Sequence, residues 1–371
     1  MGTVLDYIRE YGKYSFCEMP LTEVDSLVLC QLSYLKFDGM VQGPEGEDGP
    51  VVLKNLKRCP DYEKLFSDVR YEESNRALLE GMLAARRFRD LRLDYYVNVV
   101  EKEWETQFSG ITYTLDDGTV YVAFRGTDEN IVGWKEDFNM SFLSPVPGQN
   151  MAVGYLKSVA DRFQGSFYLG GHSKGGNFAV YSAMKCAPGL QERILQVFSL
   201  DGPGFPPEAL ENGGYDKIAD RVTKILPHSS LVGMLFESDM RFRVVESKTF
   251  GLLQHDLYTW LVEKNHFKTA KDIYDRRKKM DNTLNSWILS LSEEQRRTFV
   301  DTLFQVISAS QADNLIDMTA EWKRSMNGMI AALKEIDDET AQILKTVVKS
   351  LFEIASRSLR PGKSGAPRRK S

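Results

Sequence analysis

Cysteine and histidine are both scarce in this chain, four of each in 371 residues. Cys17, Cys30, Cys59 and Cys186 are scattered, with no C-x-x-C pair and no histidine at ligand spacing. That pattern carries neither a zinc signature nor a disulfide framework, so no metal and no cofactor is expected and a reducing, cytoplasmic compartment is predicted. Long apolar runs are missing too. Nothing approaches the roughly 18 consecutive apolar residues of a bilayer span, and Asp6, Arg9, Glu10, Glu18 and Asp25 fall where a secretory signal would place its apolar core. Nor is there an excess of positive charge. A net charge of −5 offers no general attraction to polyanions, and no specific nucleic-acid binding is expected. The one basic stretch is the tail, 357–371, where Arg360, Lys363, Arg368 and Arg369 stand among Gly, Ser and Pro. It reads as a disordered, solubilising terminus.

What is present describes a globular α/β protein. Hydrophobic residues make up 42% and charged residues 27%, and the length suits one large domain with an appendage or two domains. Residues 1–90 read as a helical lead-in packed on the core, with Val24, Leu27, Val28, Leu32 and Leu35 close to helical spacing and a second helix over 74–89. The period then changes to that of strands over 93–100, 108–115 and 119–124, with the hairpin signal Asp117-Gly118 between the last two. Strands over 166–169, 194–200, 220–226 and 242–247 alternate with helices such as 174–185, which predicts a mostly parallel sheet opened by antiparallel strands. The core is placed at 91–260. Beyond about Trp260 no strand signal survives, and 261–356 reads as a helical cap or bundle. There Ser292 and Gln295 form a capping box, and Trp322, Met326, Met329 and Leu333 repeat on one face.

Chemistry concentrates at one point. Gly171-His172-Ser173-Lys174-Gly175 fits G-x-S-x-G and falls between a predicted strand and a predicted helix, the context in which a nucleophile elbow works. Small residues are needed there because the turn holds the serine in a strained conformation. Ser173 is the candidate nucleophile. The helix that starts at Lys174 aims its first N–H groups at a developing oxyanion. A phosphate loop is a poor fit, since its lysine precedes Ser or Thr whereas Lys174 follows Ser173. Gly126 and Thr127, ending the strand Val122-Ala-Phe-Arg125, supply a second candidate wall: glycine permits close approach, and Thr127 with Lys174 would form the oxyanion hole.

Phe124-Arg125-Gly126-Thr127 followed by Gly171-His172-Ser173-x-Gly175-Gly176 resembles the class 3 (fungal-type) lipases of the α/β-hydrolase superfamily. Closer still, Asp25-Ser26-Leu27, Gln31-Leu32-Ser33-Tyr34, Asp201-Gly202-Pro203-Gly204-Phe205, Ser229-Ser230-Leu231-Val232-Gly233-Met234-Leu235 and Gln254-His255-Asp256 resemble the Mbeg1-like bacterial family of predicted lipase-like hydrolases. The resemblance spans most of the chain up to about residue 310. It implies an α/β-hydrolase fold and a serine esterase or lipase activity.

Hydrolases of this fold run nucleophile, acid, base along the chain. Among His228, His255 and His266, only His255 lies in a loop just after the last predicted strand; His228 comes a strand too early, and His266 falls in the next helical stretch. His255 is the expected base. The resemblance to class 3 lipases would place the acid after the strand ending near Leu226, where the residues are Pro227, His228, Ser229 and Ser230. Asp201 directly follows the preceding strand, a position that pancreatic-type lipases use, and is the expected acid. Glu237 and Asp239 stand in reserve, and Asp256 reads as a loop-fixing carboxylate. The expected substrate is a small acyl ester or lipid, with peripheral membrane contact one use of the C-terminal helices and their Met318, Met326 and Met329. A thioesterase or acyltransferase with the same residues, or a non-catalytic scaffold of this fold, are the alternatives.

Overall fold

Strand-forming residues alternate between two buried faces and build an eight-stranded sheet in the computed structural model. Its strands, in sheet order, are β1 (Val51–Val52), β2 (Arg92–Glu101), β3 (Thr106–Thr114), β4 (Val120–Phe124), β5 (Phe167–His172), β6 (Ile194–Leu200), β7 (Val222–Pro227) and β8 (Phe242–Val245). The structure describes residues 2–270 apart from 68, 102–105, 128–139, 141–144, 212–213, 231 and 236–240. The chain divides into two units, Met1–Asp301 and Thr302–Ser371. The second unit, the expected helices from 271 onward, the basic tail and the reserve acids Glu237 and Asp239 lie outside the described residues.

Strands β1 to β4 pair antiparallel and β4 to β8 pair parallel. Gly118, at φ 86°, turns the β3–β4 hairpin in the conformation that glycine adopts at no steric cost. The period of two is plain in β4. Tyr121 and Ala123 join the core beneath helices α1 (Val4–Tyr11), α2 (Glu23–Leu32) and α3 (Glu72–Ala84), whereas Val120, Val122 and Phe124 face α4 (Pro147–Arg162) and α5 (Lys174–Lys185). Covering both faces removes the water-facing side that an exposed sheet would keep.

The lead-in is locked by charge as well as by apolar packing. Thr22 and Asp25 form a capping box at the start of α2: the Thr22 N–H donates to Asp25 Oδ2 at 2.8 Å, and the Asp25 N–H donates to Thr22 Oγ1 at 3.3 Å. The same carboxylate receives Arg87 in a two-pronged bridge, Nε to Oδ1 and Nη2 to Oδ2, both 2.7 Å, with both side chains wholly buried.

Two differences from the sequence expectation concern the end of the core. Val262–Glu263 (β9) and His266–Phe267 (β10) form a short antiparallel hairpin, so strands do continue past Trp260 and His266 is not in a helix. Two-residue strands carry no readable period. Tertiary contacts hold this one, with Phe267 edge-on to the Trp260 ring at 5.4 Å and Val262 bridged to Gly2.

Candidate active site

The carboxyl ends of the parallel strands gather the candidate residues, the edge at which open α/β sheets bind ligands. Ser173 directly follows β5, with φ 58° and ψ −128°. That is strained geometry for a residue with a Cβ, and it is over-determined by its surroundings. A Cβ on Gly171 would stand 2.2 Å from the carbonyl of Gly175, and one on Gly175 would stand 2.1 Å from the Phe124 carbonyl oxygen. Both glycines are therefore steric requirements of the elbow. Helix α5 begins at Lys174, whose N–H is among those that have no acceptor within a helix.

Parallel register sets the acid beside the nucleophile. His172 of β5 pairs with Leu200 of β6, so Ser173 and Asp201 are the next residues outward on neighbouring strands. The Ser173 N–H donates to the Leu200 carbonyl at 2.9 Å, and the Asp201 N–H to the Ile225 carbonyl at 2.8 Å. Asp201 also has a positive φ, 49°. Its loop is fastened to α5 by Asn177, whose Nδ2 donates to the carbonyls of Pro203 and Gly204; Gln149 of α4 holds the Asn177 Oδ1 at 2.8 Å.

Nδ1 of His255 lies 2.7 Å from Oδ2 of Asp201, which is 1% exposed. A carboxylate can only accept, so this bond places a proton on Nδ1 and leaves Nε2 as the basic nitrogen. His255 closes a 3-10 turn, Gly251–His255. The other histidines are engaged elsewhere. Gln254 lies 3.1 Å from Nε2 of the buried His228, and His266 contacts Glu23 at 3.1 Å. Asp256 caps the turn that follows, accepting from the Tyr258 N–H at 2.9 Å. No hydrogen bond joins Ser173 to His255 among the described residues; such bonds often tighten only when substrate binds.

Gly126 stands against the elbow. A Cβ there would meet the Tyr34 hydroxyl at 2.4 Å, the His172 carbonyl at 2.5 Å and the Ser173 Cβ at 3.3 Å. The adjacent Thr127 is thereby brought to the nucleophile's side of the sheet edge.

Three residues without an assigned role in the sequence reading also belong here. Tyr34, just beyond α2, puts its hydroxyl 2.9 Å from Nδ1 of His172. The His172 ring in turn lies 4.4 Å from that of His255. Burial holds His172 well below the ordinary histidine range, so a neutral imidazole packs against the candidate base. Ser230 donates to the second oxygen of Asp201 at 2.5 Å. Gln254, fully buried, accepts from the Ser229 N–H at 2.8 Å. All three lie in segments that carry the family resemblance, and that was their only signal. Among the described residues no group of His, Cys, Asp and Glu could hold a metal ion, and no helix is long and apolar enough to cross a membrane.

A strand–turn–helix elbow on a mostly parallel sheet opened by antiparallel strands is the α/β-hydrolase fold. A family model described as Mbeg1-like matches residues 82–305. Comparison with curated proteins gives no match. Among solved structures the chain is similar to M37 lipase at 14% identity over 58% of this chain and 70% of that one, with a TM-score of 0.37. It is likewise similar to the Rhizomucor miehei lipase propeptide complex at 14% identity, over 60% and 67%, with a TM-score of 0.36.

Proposed function

The chain belongs to the Mbeg1-like family, and from that premise we propose that it is a serine hydrolase cleaving carboxylic esters, with Ser173 as nucleophile, His255 as base and Asp201 as acid. The observation that carries the reading is the 2.7 Å Asp201–His255 pair, set one strand away from a serine at φ 58°. In the first step Nε2 of His255 takes the Ser173 proton as Oγ attacks the ester carbonyl. The oxyanion is received by the N–H groups of Lys174 and Thr127. Collapse returns that proton to the leaving alcohol and leaves an acyl-serine. Water, deprotonated by the same histidine, then releases the acid.

The substrate is a small acyl ester or a lipid, and peripheral membrane contact belongs to the same proposal. Cytoplasmic residence is supported by four free thiols, Cys17, Cys30, Cys59 and Cys186.

A fluorophosphonate probe tests the central claim. The folded protein should be labelled at Ser173 and should hydrolyse short acyl esters, and Ser173→Ala should do neither. Folded parent protein that takes no label would return the chain to the scaffold reading.

A further inference from the structure

A triad uses only one oxygen of its acid, yet both oxygens of Asp201 are engaged. Oδ2 faces Nδ1 of His255, while Oδ1 receives the Ser230 hydroxyl at 2.5 Å, out of water, with Ser230 2% and Asp201 1% exposed. The direction of that bond is fixed. A carboxylate can only accept, so the one hydroxyl proton points at Asp201, and the Ser230 Oγ in turn accepts from the Gly233 N–H at 3.0 Å. Space for the contact is also reserved. A Cβ on Gly233 would stand 2.5 Å from Asp201 Oδ1 and 2.9 Å from Ser230 Oγ, so the turn reaches the acid only because residue 233 has no side chain. The same turn is tied to the base through its neighbour, since the Ser229 N–H donates to Gln254, the residue before His255.

We propose that Ser230 is a positioning residue of the acyl-transfer site. Held by one bond, a carboxylate can swing about its Cβ–Cγ axis; held at both oxygens by charge-assisted bonds, it keeps its plane aligned with the imidazole. The hydroxyl also draws charge from Asp201 and so moderates its pull on the His255 proton. The inference rests on the Ser173–Asp201–His255 reading.

The test measures the rate of fluorophosphonate labelling of Ser173 across pH for the parent, Ser230→Ala and Ser230→Thr. Ser230→Ala should label about tenfold more slowly at neutral pH, the scale on which outer partners of a functional side chain act, and Ser230→Thr should restore most of the loss. The acid limb of the Ser230→Ala profile should move to higher pH, because a carboxylate deprived of a donor holds the protonated imidazole more tightly. If Ser230→Ala impairs folding, Ser230→Cys, similar in volume and a poor donor, carries the same expectation. Parent-like rate and profile in the substituted protein would overturn the proposal. So would a loss equal at every pH that threonine does not repair, because a serine that merely staples the turn predicts that result. Parent protein that takes no label defeats the hydrolase reading itself and this inference with it, whereas labelled parent with an indifferent Ser230→Ala defeats this inference alone.

Discussion

The phenolic oxygen of Tyr34 lies 2.9 Å from Nδ1 of His172, joining the end of α2 to the residue that precedes the candidate nucleophile. Tyr34→Phe keeps the ring and removes the partner of a buried nitrogen, which should cost about 1–3 kcal/mol. Urea denaturation should show a lowered midpoint with an unchanged slope, and labelling of Ser173 should slow. An unchanged midpoint would mean that the bond adds nothing to stability.

His172 also predicts a pH dependence of stability. Its folded-state pKa lies well below the ordinary histidine value of about 6.5, chiefly through burial, so on acidification the unfolded chain binds the proton first. Stability present at neutral pH is therefore lost progressively as pH falls below about 6.5 toward the folded-state value. His172→Asn should flatten that part of the curve. Denaturant midpoints measured from pH 7 down to pH 5 should therefore fall more steeply for the parent than for the variant. Equal slopes would show that His172 does not titrate on unfolding.

Asp201→Asn should leave the fold nearly intact and lower kcat for a short acyl ester by roughly 10^4-fold, the loss expected when the base is held in the wrong tautomer. Glu237→Gln and Asp239→Asn should remain near the parent rate. If instead Asp201→Asn stays active while one of those two is inactive, the acid belongs after β7.

Much of the candidate site's geometry is legible in the sequence because an elbow restricts residue type. The elbow needs glycines at 171 and 175, and the structure shows why, with backbone atoms within 2.2 Å of where their Cβ atoms would lie. Helix α5 matches its expected span from 174 to 185, since Ser173 starts it and strand residues flank it. Helix α4 was hidden. Proline at its first position is a normal helix start, but Gly148 and Gly154 are poor helix formers, and its stability comes from packing Ala152, Tyr155, Leu156 and Val159 against the sheet. The β9–β10 hairpin was hidden for a related reason, being fixed by contacts to Trp260 and Gly2 rather than by pattern. Ser230 and Tyr34 were invisible as site residues because a hydroxyl's role depends on which atom it meets, and those atoms lie 29 and 138 positions away.

In the resemblance segment Asp25-Ser26-Leu27, the structure gives Asp25 a task within the lead-in. Its carboxylate meets Arg87 at two 2.7 Å contacts, receives the Tyr7 hydroxyl at 2.9 Å and caps α2. Arg87 in turn donates to the carbonyls of Ser15 and Met19 and lies over the Phe16 ring at 3.9 Å. Removing one partner strands the other charge out of water, so Asp25→Asn should destabilise the protein by about 3–5 kcal/mol. Replacing both, as in Asp25→Asn with Arg87→Met, should cost less than the sum of the single changes, because no unpaired charge then remains. A double-mutant cycle in urea measures that coupling. Additive single costs would mean that the two side chains act independently, and that the lead-in is held by its apolar contacts alone.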